Sequence, residues 1–189
     1  MSNVFANQFR DIPSTLQIRE DLRSSALALI GTQPILGKAL DGPGRVDTFR
    51  AVLKQLVLGA ITPEQAYEST ETLLPRNDSP YSHDNRVFAS GWGERLVRSQ
   101  YSRFYNQAAI EHLIAQKHTH GFVPHSVDED RTSQCSVGMA GRMHLLTTLR
   151  QRLLDAYEKG NHSEDLKIPH HPHCTHVVTL IESRNSDDR

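Results

Sequence analysis

Apolar side chains return every three or four positions over most of this chain, the spacing of one buried helical face. Ile18, Leu22, Ala26, Leu29 and Ile30 predict a helix over 14–30, opened by the capping-box pair Ser14 and Gln17 and stopped by Gly31. A Gly/Pro-rich loop follows at 31–46, with at most a short strand at Ile35 and Leu36. Asp47 then caps a second helix through Phe49, Val52, Leu53, Leu56 and Val57. Thr62, Pro63 and Gln65 supply cap, first-turn proline and capping-box partner for a third helix, which Pro75 closes.

Beyond the turn-rich connector 75–85 the pattern changes. Val87 to Ala89 read as a short strand, Gly91 and Gly93 as a turn, and residues 94–117 as a long helix. Gly121 ends that helix, and Phe122 and Val123 make another strand before Pro124. After a polar loop at 125–136, Met139, Met143, Leu146, Leu149, Leu153 and Tyr157 form a helical stripe stopped near Gly160. His176 to Ile181 is a last candidate strand, and residues 184–189 are expected to be a frayed tail. The expected fold class is therefore α/β of the mixed α+β kind: a helical N-terminal region, 1–75, packed on a core with a small mixed sheet, 76–183, in one compact domain.

Composition narrows the function classes. The 189 residues are 37% hydrophobic and 23% charged with net charge -1, the balance of an ordinary globular chain that names no partner by charge alone. No apolar run approaches the roughly 20 residues of a membrane span, and the N-terminus lacks the basic-then-apolar order of a secretory signal, so a cytoplasmic protein is expected. Its two cysteines, Cys135 and Cys174, are too few for a disulfide framework and are expected to stay thiols. Gly37 and Lys38 lack the full spacing of a nucleotide-binding loop.

Candidate chemistry concentrates at VFASGWGERLVRSQ, residues 87–100. A helix beginning near Glu94 leaves backbone N–H groups unpaired at its positive end, a ready anion site. Gly91 and Gly93 let the backbone come close to a ligand, and Arg95 and Arg98 offer planar donor forks to phosphate oxygens. Glu94 suits a Mg²⁺ ion bridging phosphates, or orientation of a water molecule. The plainer alternative is that Glu94 only favours the helix start and pairs with Arg98 one turn on. Between residues 76 and 103 stand Arg76, Arg86, Arg95, Arg98 and Arg103 against three carboxylates, with Tyr81 and Trp92 as rings that can stack on bases.

At Gly93, Glu94, Arg95 and Arg98, followed by Gly121, Phe122, Val123 and Pro124, the sequence resembles the ParB/sulfiredoxin superfamily and its G-E-R-R-x-R-A motif. Leu96 stands in place of the second arginine and Ser99 in place of alanine. The resemblance implies a nucleotide triphosphate, ATP first, lying on Ser90, Gly91, Gly93, Arg95, Arg98 and Ser99. Glu94, Arg95 and Arg98 would carry catalysis with Mg²⁺ on Glu94, and Arg86 and Arg103 would guide DNA. Trp92, Gly93 and Glu94 occupy the turn where sulfiredoxins hold their cysteine, so peroxiredoxin repair is not expected. Within that superfamily the chain is similar to plasmid fertility-inhibition proteins. This implies blockade of DNA transfer by a rival type IV secretion system through ATP-regulated DNase and ATPase activity on the transferred single-stranded DNA. A non-catalytic module binding DNA or a secretion-system component is the alternative.

Two readings compete at the C-terminal end. His162, His170, His171, His173 and His176 surround Cys174, and zinc accepts such ligands, although H-H-x-H-C-x-H matches no closed two-plus-two pattern. Alternatively Cys135, at a helix start, and His176, at a strand start, form the nucleophile and base of a Cys/His hydrolase.

Overall fold

The computed structural model describes residues 4–161, 163 and 165–180. Among them, seven α-helices and one two-stranded antiparallel sheet make a mixed but mostly helical fold. None of these helices is long and apolar enough to cross a membrane. The tail at 184–189 lies outside the described residues.

The helix expected over 14–30 is two helices, α1 (Ile12–Ile18) and α2 (Glu20–Thr32), broken at Arg19. The break lets Ile12 and Leu16 join Leu22, Ala26 and Ile30 in the core while Ile18 stays 67% exposed; a straight helix would keep Ile18 on the apolar face. Arg19 fixes the corner with two bonds to the Asp21 carboxylate, 2.8 and 2.7 Å, and lies 4.8 Å from the centre of the Phe5 ring. Ser14 does not cap; its hydroxyl donates to the Asp11 carbonyl. Residues 34–37 form no strand.

Helix α3 (Arg45–Val57) starts before Asp47, after Gly44 in the left-handed region at φ 71°. Arg45 is buried, and its guanidinium donates to the carbonyls of Ala39, Leu74 and Pro75, gathering the end of α4 (Pro63–Leu73). At the start of α4 the capping box forms as expected: the Gln65 N–H donates to Thr62 Oγ1, and the Thr62 N–H to Gln65 Oε1. Thr62→Ala should therefore lower stability by about 1 kcal/mol, read as a shift of the denaturant midpoint at constant slope.

The organising element is α5 (Trp92–Ala115), against which α2, α3, α4 and α7 pack. Residues 100–110 are buried on every face, so polar as well as apolar positions are enclosed. Their polar groups recruit distant segments. Tyr105 Oη accepts from the Ala6 N–H, Asn106 Oδ1 accepts from the Val178 N–H, and Arg103 donates to Pro34 O and Gln33 Oε1. One cluster of buried apolar side chains consequently runs from Phe5 to Val178.

Residues 87–89, expected as a strand, are turns: the Val87 and Phe88 amides donate back to the Asp84 carbonyl, and no strand lies beside them. Strand β1 (His120–Val123) pairs with β2 (Arg142–Leu145), with Phe122 opposite Met143. The stripe from Met139 to Tyr157 is therefore divided. Met139 ends the short helix α6 (Gln134–Met139), Gly141 reverses the chain at φ 72°, and only Leu146 onward continues as α7 (Leu146–Tyr157). Backbone pairing with β1 outweighs helical spacing here, and Met143 and Leu145 are left exposed. The strand expected from His176 is reduced to one bridge, Thr179 with Phe122; Ile181 lies outside the described residues.

Candidate functional site

The glycine turn does start a helix. Gly91 caps α5 in the left-handed region at φ 69°, and the first helical residue is Trp92. Its anion-binding potential, however, is met from inside the protein. The Gly93 N–H donates to Glu71 Oε1 at 3.0 Å, and a Cβ on Gly93 would fall 2.5 Å from Glu71 Cγ. The close approach that Gly93 permits is thus to a side chain of α4. Arg95 closes the turn by donating to the Ser90 and Ala89 carbonyls at 2.6 and 3.1 Å.

The expected cations do not converge. Arg98 lies 4.3 Å from the centre of the Phe9 ring and 3.9 Å from Glu94, facing a cavity of about 300 Å³ beside Arg10, Asp128 and His173. Glu94, 3.9 Å from both Arg98 and His173, has no second carboxylate paired with it for Mg²⁺ among the described residues. Arg103, expected to guide nucleic acid, is 0% exposed. Its fork is spent on Pro34 O, Gln33 Oε1 and Gln100 Oε1, and burial pulls its pKa down to about 10. Arg86 is exposed and paired with Asp84 at 3.2 Å.

A different arrangement emerges on the other side of α5. A cleft of about 640 Å³ opens between the start of α5, the loop before α3, the end of α7 and the C-terminal segment. Lys38, Arg86, Arg95, Lys167, His170 and His171 line it, together with Trp92 and Ser99, and no carboxylate is among the described residues of its wall. Lys167 is 7% exposed and makes no hydrogen bond or ion pair among the described residues; burial lowers its pKa. His170 contributes a buried Nδ1 without a partner among the described residues, while its Nε2 meets Gln134 Oε1 at 3.2 Å. A desolvated Lys167 and an unpaired His170 nitrogen, in a wall that also holds Lys38, Arg86, Arg95 and His171, favour an anion there. Ser90, Gly91, Gly93, Glu94 and Arg98 lie outside this wall; Arg86, Arg95 and Ser99 are on it.

Where the cleft meets α6, His171 also touches a buried cluster. Cys135 Sγ is 3.4 Å from His171 Nε2, and Cys174 Sγ is 3.6 Å from His176 Nδ1. Donor atoms of Cys135, His171 and Cys174 all lie within 4.8 Å of one another. His176 Nε2 meets Glu129 Oε2 at 2.7 Å, and His125 Nδ1 meets Glu129 Oε1 at 2.6 Å. The hydrogen bond from the Cys174 thiol, then those of His171, His176 and Ser133, hold Cys135 far below the usual thiol range against the effect of burial. Cys174 is pushed up by the same bond and by burial. Burial opposes a charge on His176, but the influence of Cys135 and Glu129 overcomes this and raises its pKa.

His176, expected beside Cys135, instead meets Cys174 at 3.6 Å and Glu129 at 2.7 Å, and the imidazole at Cys135 is that of His171 at 3.4 Å. Yet both sulfurs belong to residues 1% exposed, and among the described residues the cleft wall is made by Gln134 and His171 and not by Cys135, so the Cys135 sulfur is not presented to a substrate in the cleft. His173 points to Glu94 and His162 lies outside the described residues. Sequence reasoning missed Lys38, Lys167 and Glu129, which sit in loops without periodicity and acquire a role only from what lies opposite them. Compared with protein families, curated proteins and solved structures, the chain shows no significant match to any of them.

Proposed function

We propose that this chain binds a phosphate-bearing ligand, a nucleotide such as ATP or the end of a single-stranded DNA, in the cleft beside the start of α5. The carrying observation is a wall that gathers Lys38, Arg86, Arg95, Lys167, His170 and His171, with no carboxylate among its described residues. The cleft's 640 Å³ falls within the volume range of small-molecule sites, roughly 300–1,000 Å³. Trp92 offers an aromatic surface for a base, and Ser99 and Gln134 offer neutral hydrogen bonds.

Trp92 is the only tryptophan, so its fluorescence reports occupancy of this cleft directly. Titration with ATP, inorganic triphosphate and a short single-stranded DNA should change it saturably, with weaker binding at higher salt. Lys38→Ala and Lys167→Met should each weaken binding about tenfold, the effect of losing one charge-assisted contact. Identical affinities in both variants would remove the assignment.

Interference with DNA transfer, the role carried by the resemblance, rests on this binding. ATPase and nuclease activity on single-stranded DNA with Mg²⁺ is its assay. Intact DNA and no phosphate release, with binding retained, would leave a binding module, the outcome favoured by the absence of Glu94 from the cleft wall.

A further inference from the structure

We propose that Cys135, His171, Cys174 and His176 form a tetrahedral zinc site, with Glu129 as the carboxylate that orients His176, and that this site fastens the C-terminal segment to α6.

The geometry comes first. For Zn–S near 2.3 Å and Zn–N near 2.0–2.1 Å, the sulfur-to-nitrogen edge of a tetrahedron is about 3.5 Å. The two such edges seen here, Cys135 Sγ to His171 Nε2 and Cys174 Sγ to His176 Nδ1, are 3.4 and 3.6 Å. The donors of Cys135, His171 and Cys174 already lie within 4.8 Å of one another; His176 stands outside that set, beside Cys174 at 3.6 Å, and would supply the fourth ligand on a small movement of its ring. Two thiolates and two neutral imidazoles are a donor set that selects zinc over magnesium or calcium.

Burial and the outer contacts agree. Cys135, Cys174 and His176 are each 1% exposed, which suits a closed structural site. The His176 Nε2–H donates to the Glu129 carboxylate, leaving Nδ1 as the lone-pair atom that faces the sulfur. Glu129 itself is 1% exposed at its side chain and is held by His125 and the Arg131 guanidinium. A buried carboxylate behind a ligating histidine is the recurrent outer partner of zinc sites, and it fixes the ring's tautomer and direction.

The segment also needs a fastener. From residue 165 to 180 there is no helix or named strand, and its bonds to backbone elsewhere are few, Thr175 O with the Phe9 amide and the Thr179 bridge to Phe122, beside side-chain bonds of Asn106, Arg152 and Tyr157 with the Val178 N–H, Leu166 O and Pro169 O. A metal joining Cys135 of α6 to three residues of this segment closes a loop of dozens of residues, and its binding free energy becomes folding free energy. His171 belongs to both the cluster and the cleft wall, so the metal would also set one side of the cleft.

The test uses the full chain without an affinity tag, grown with zinc. Elemental analysis should find one zinc per chain, and replacement by Co²⁺ should give the intense visible bands of a tetrahedral centre with sulfur-to-cobalt charge transfer in the near ultraviolet. Cys174→Ser should weaken that charge-transfer band. Should that variant not fold, Glu129→Gln, which retains every ligand, should lower zinc affinity about 10–100-fold in competition with a chromophoric chelator. Zinc far below one equivalent with a weak, sulfur-free cobalt spectrum would overturn the proposal, as would a Cys135–Cys174 disulfide in protein purified under reducing conditions. Trp92 fluorescence on the same preparation reads ligand binding separately.

Discussion

Replacing Arg103 by alanine should destabilise the protein by about 3 kcal/mol and leave the affinity of the folded protein for single-stranded DNA unchanged. The guanidinium is fully enclosed, 4.6 Å from the Phe104 ring centre and 5.2 Å from that of Tyr157. Alanine would strand Gln100 Oε1 in the interior, at about 1–3 kcal/mol, remove the part-buried bonds to Pro34 O and Gln33 Oε1, and leave a cavity. Relief from burying a cation offsets part of that sum. Arg103→Met, which keeps most of the volume and removes the donors, should recover the cavity term and retain the loss from the unpaired acceptors. Urea denaturation of the three proteins separates these contributions. A stable Arg103→Ala protein with impaired DNA binding would instead return this arginine to the surface role its sequence context suggested.

Asn106→Ala should lower stability by about 2 kcal/mol and loosen the segment that carries Cys174 and His176. Asn106 Oδ1 accepts the Val178 N–H at 2.8 Å, and its Nδ2 donates to the Ser102 carbonyl at 2.8 Å, so one amide ties the middle of α5 to the C-terminal segment. Without it, a buried N–H is left unpaired. Amide exchange at Val178 should accelerate far more than at Leu113, which lies on the same helix away from that contact. Equal protection at Val178 in both proteins would show that the segment is held by other means. Because the same segment supplies three of the four proposed metal ligands, added zinc should restore part of the lost stability.

The two glycines of the α5 turn illustrate how a local signal can be right about form and wrong about occupant. Gly91 adopts the left-handed conformation and Gly93 permits a close approach, as their spacing implied. What approaches is Glu71, from a helix more than twenty residues earlier in the chain, and no feature of residues 87–100 announces it. Arg95 and Arg98 are three positions apart, near neighbours on a helix, yet the packing of Phe9 draws one guanidinium to a separate cavity.

Sequence by itself determined the helices whose ends carry their own chemistry. The α4 capping box, the closure by Pro75, the glycine start of α5 and the apolar faces of α3 and α7 depend on contacts within a few residues, and those contacts are written in the local order of side chains. Only the tertiary structure decided which polar groups are exposed, which strand edge takes β2 out of a helical stripe, and which loops face each other across the cleft. Lys38 and Lys167 lie well over one hundred residues apart, and Cys135 and His176 about forty. Their meeting depends on how α5 is surrounded, which is a property of the whole packed chain and of no segment within it.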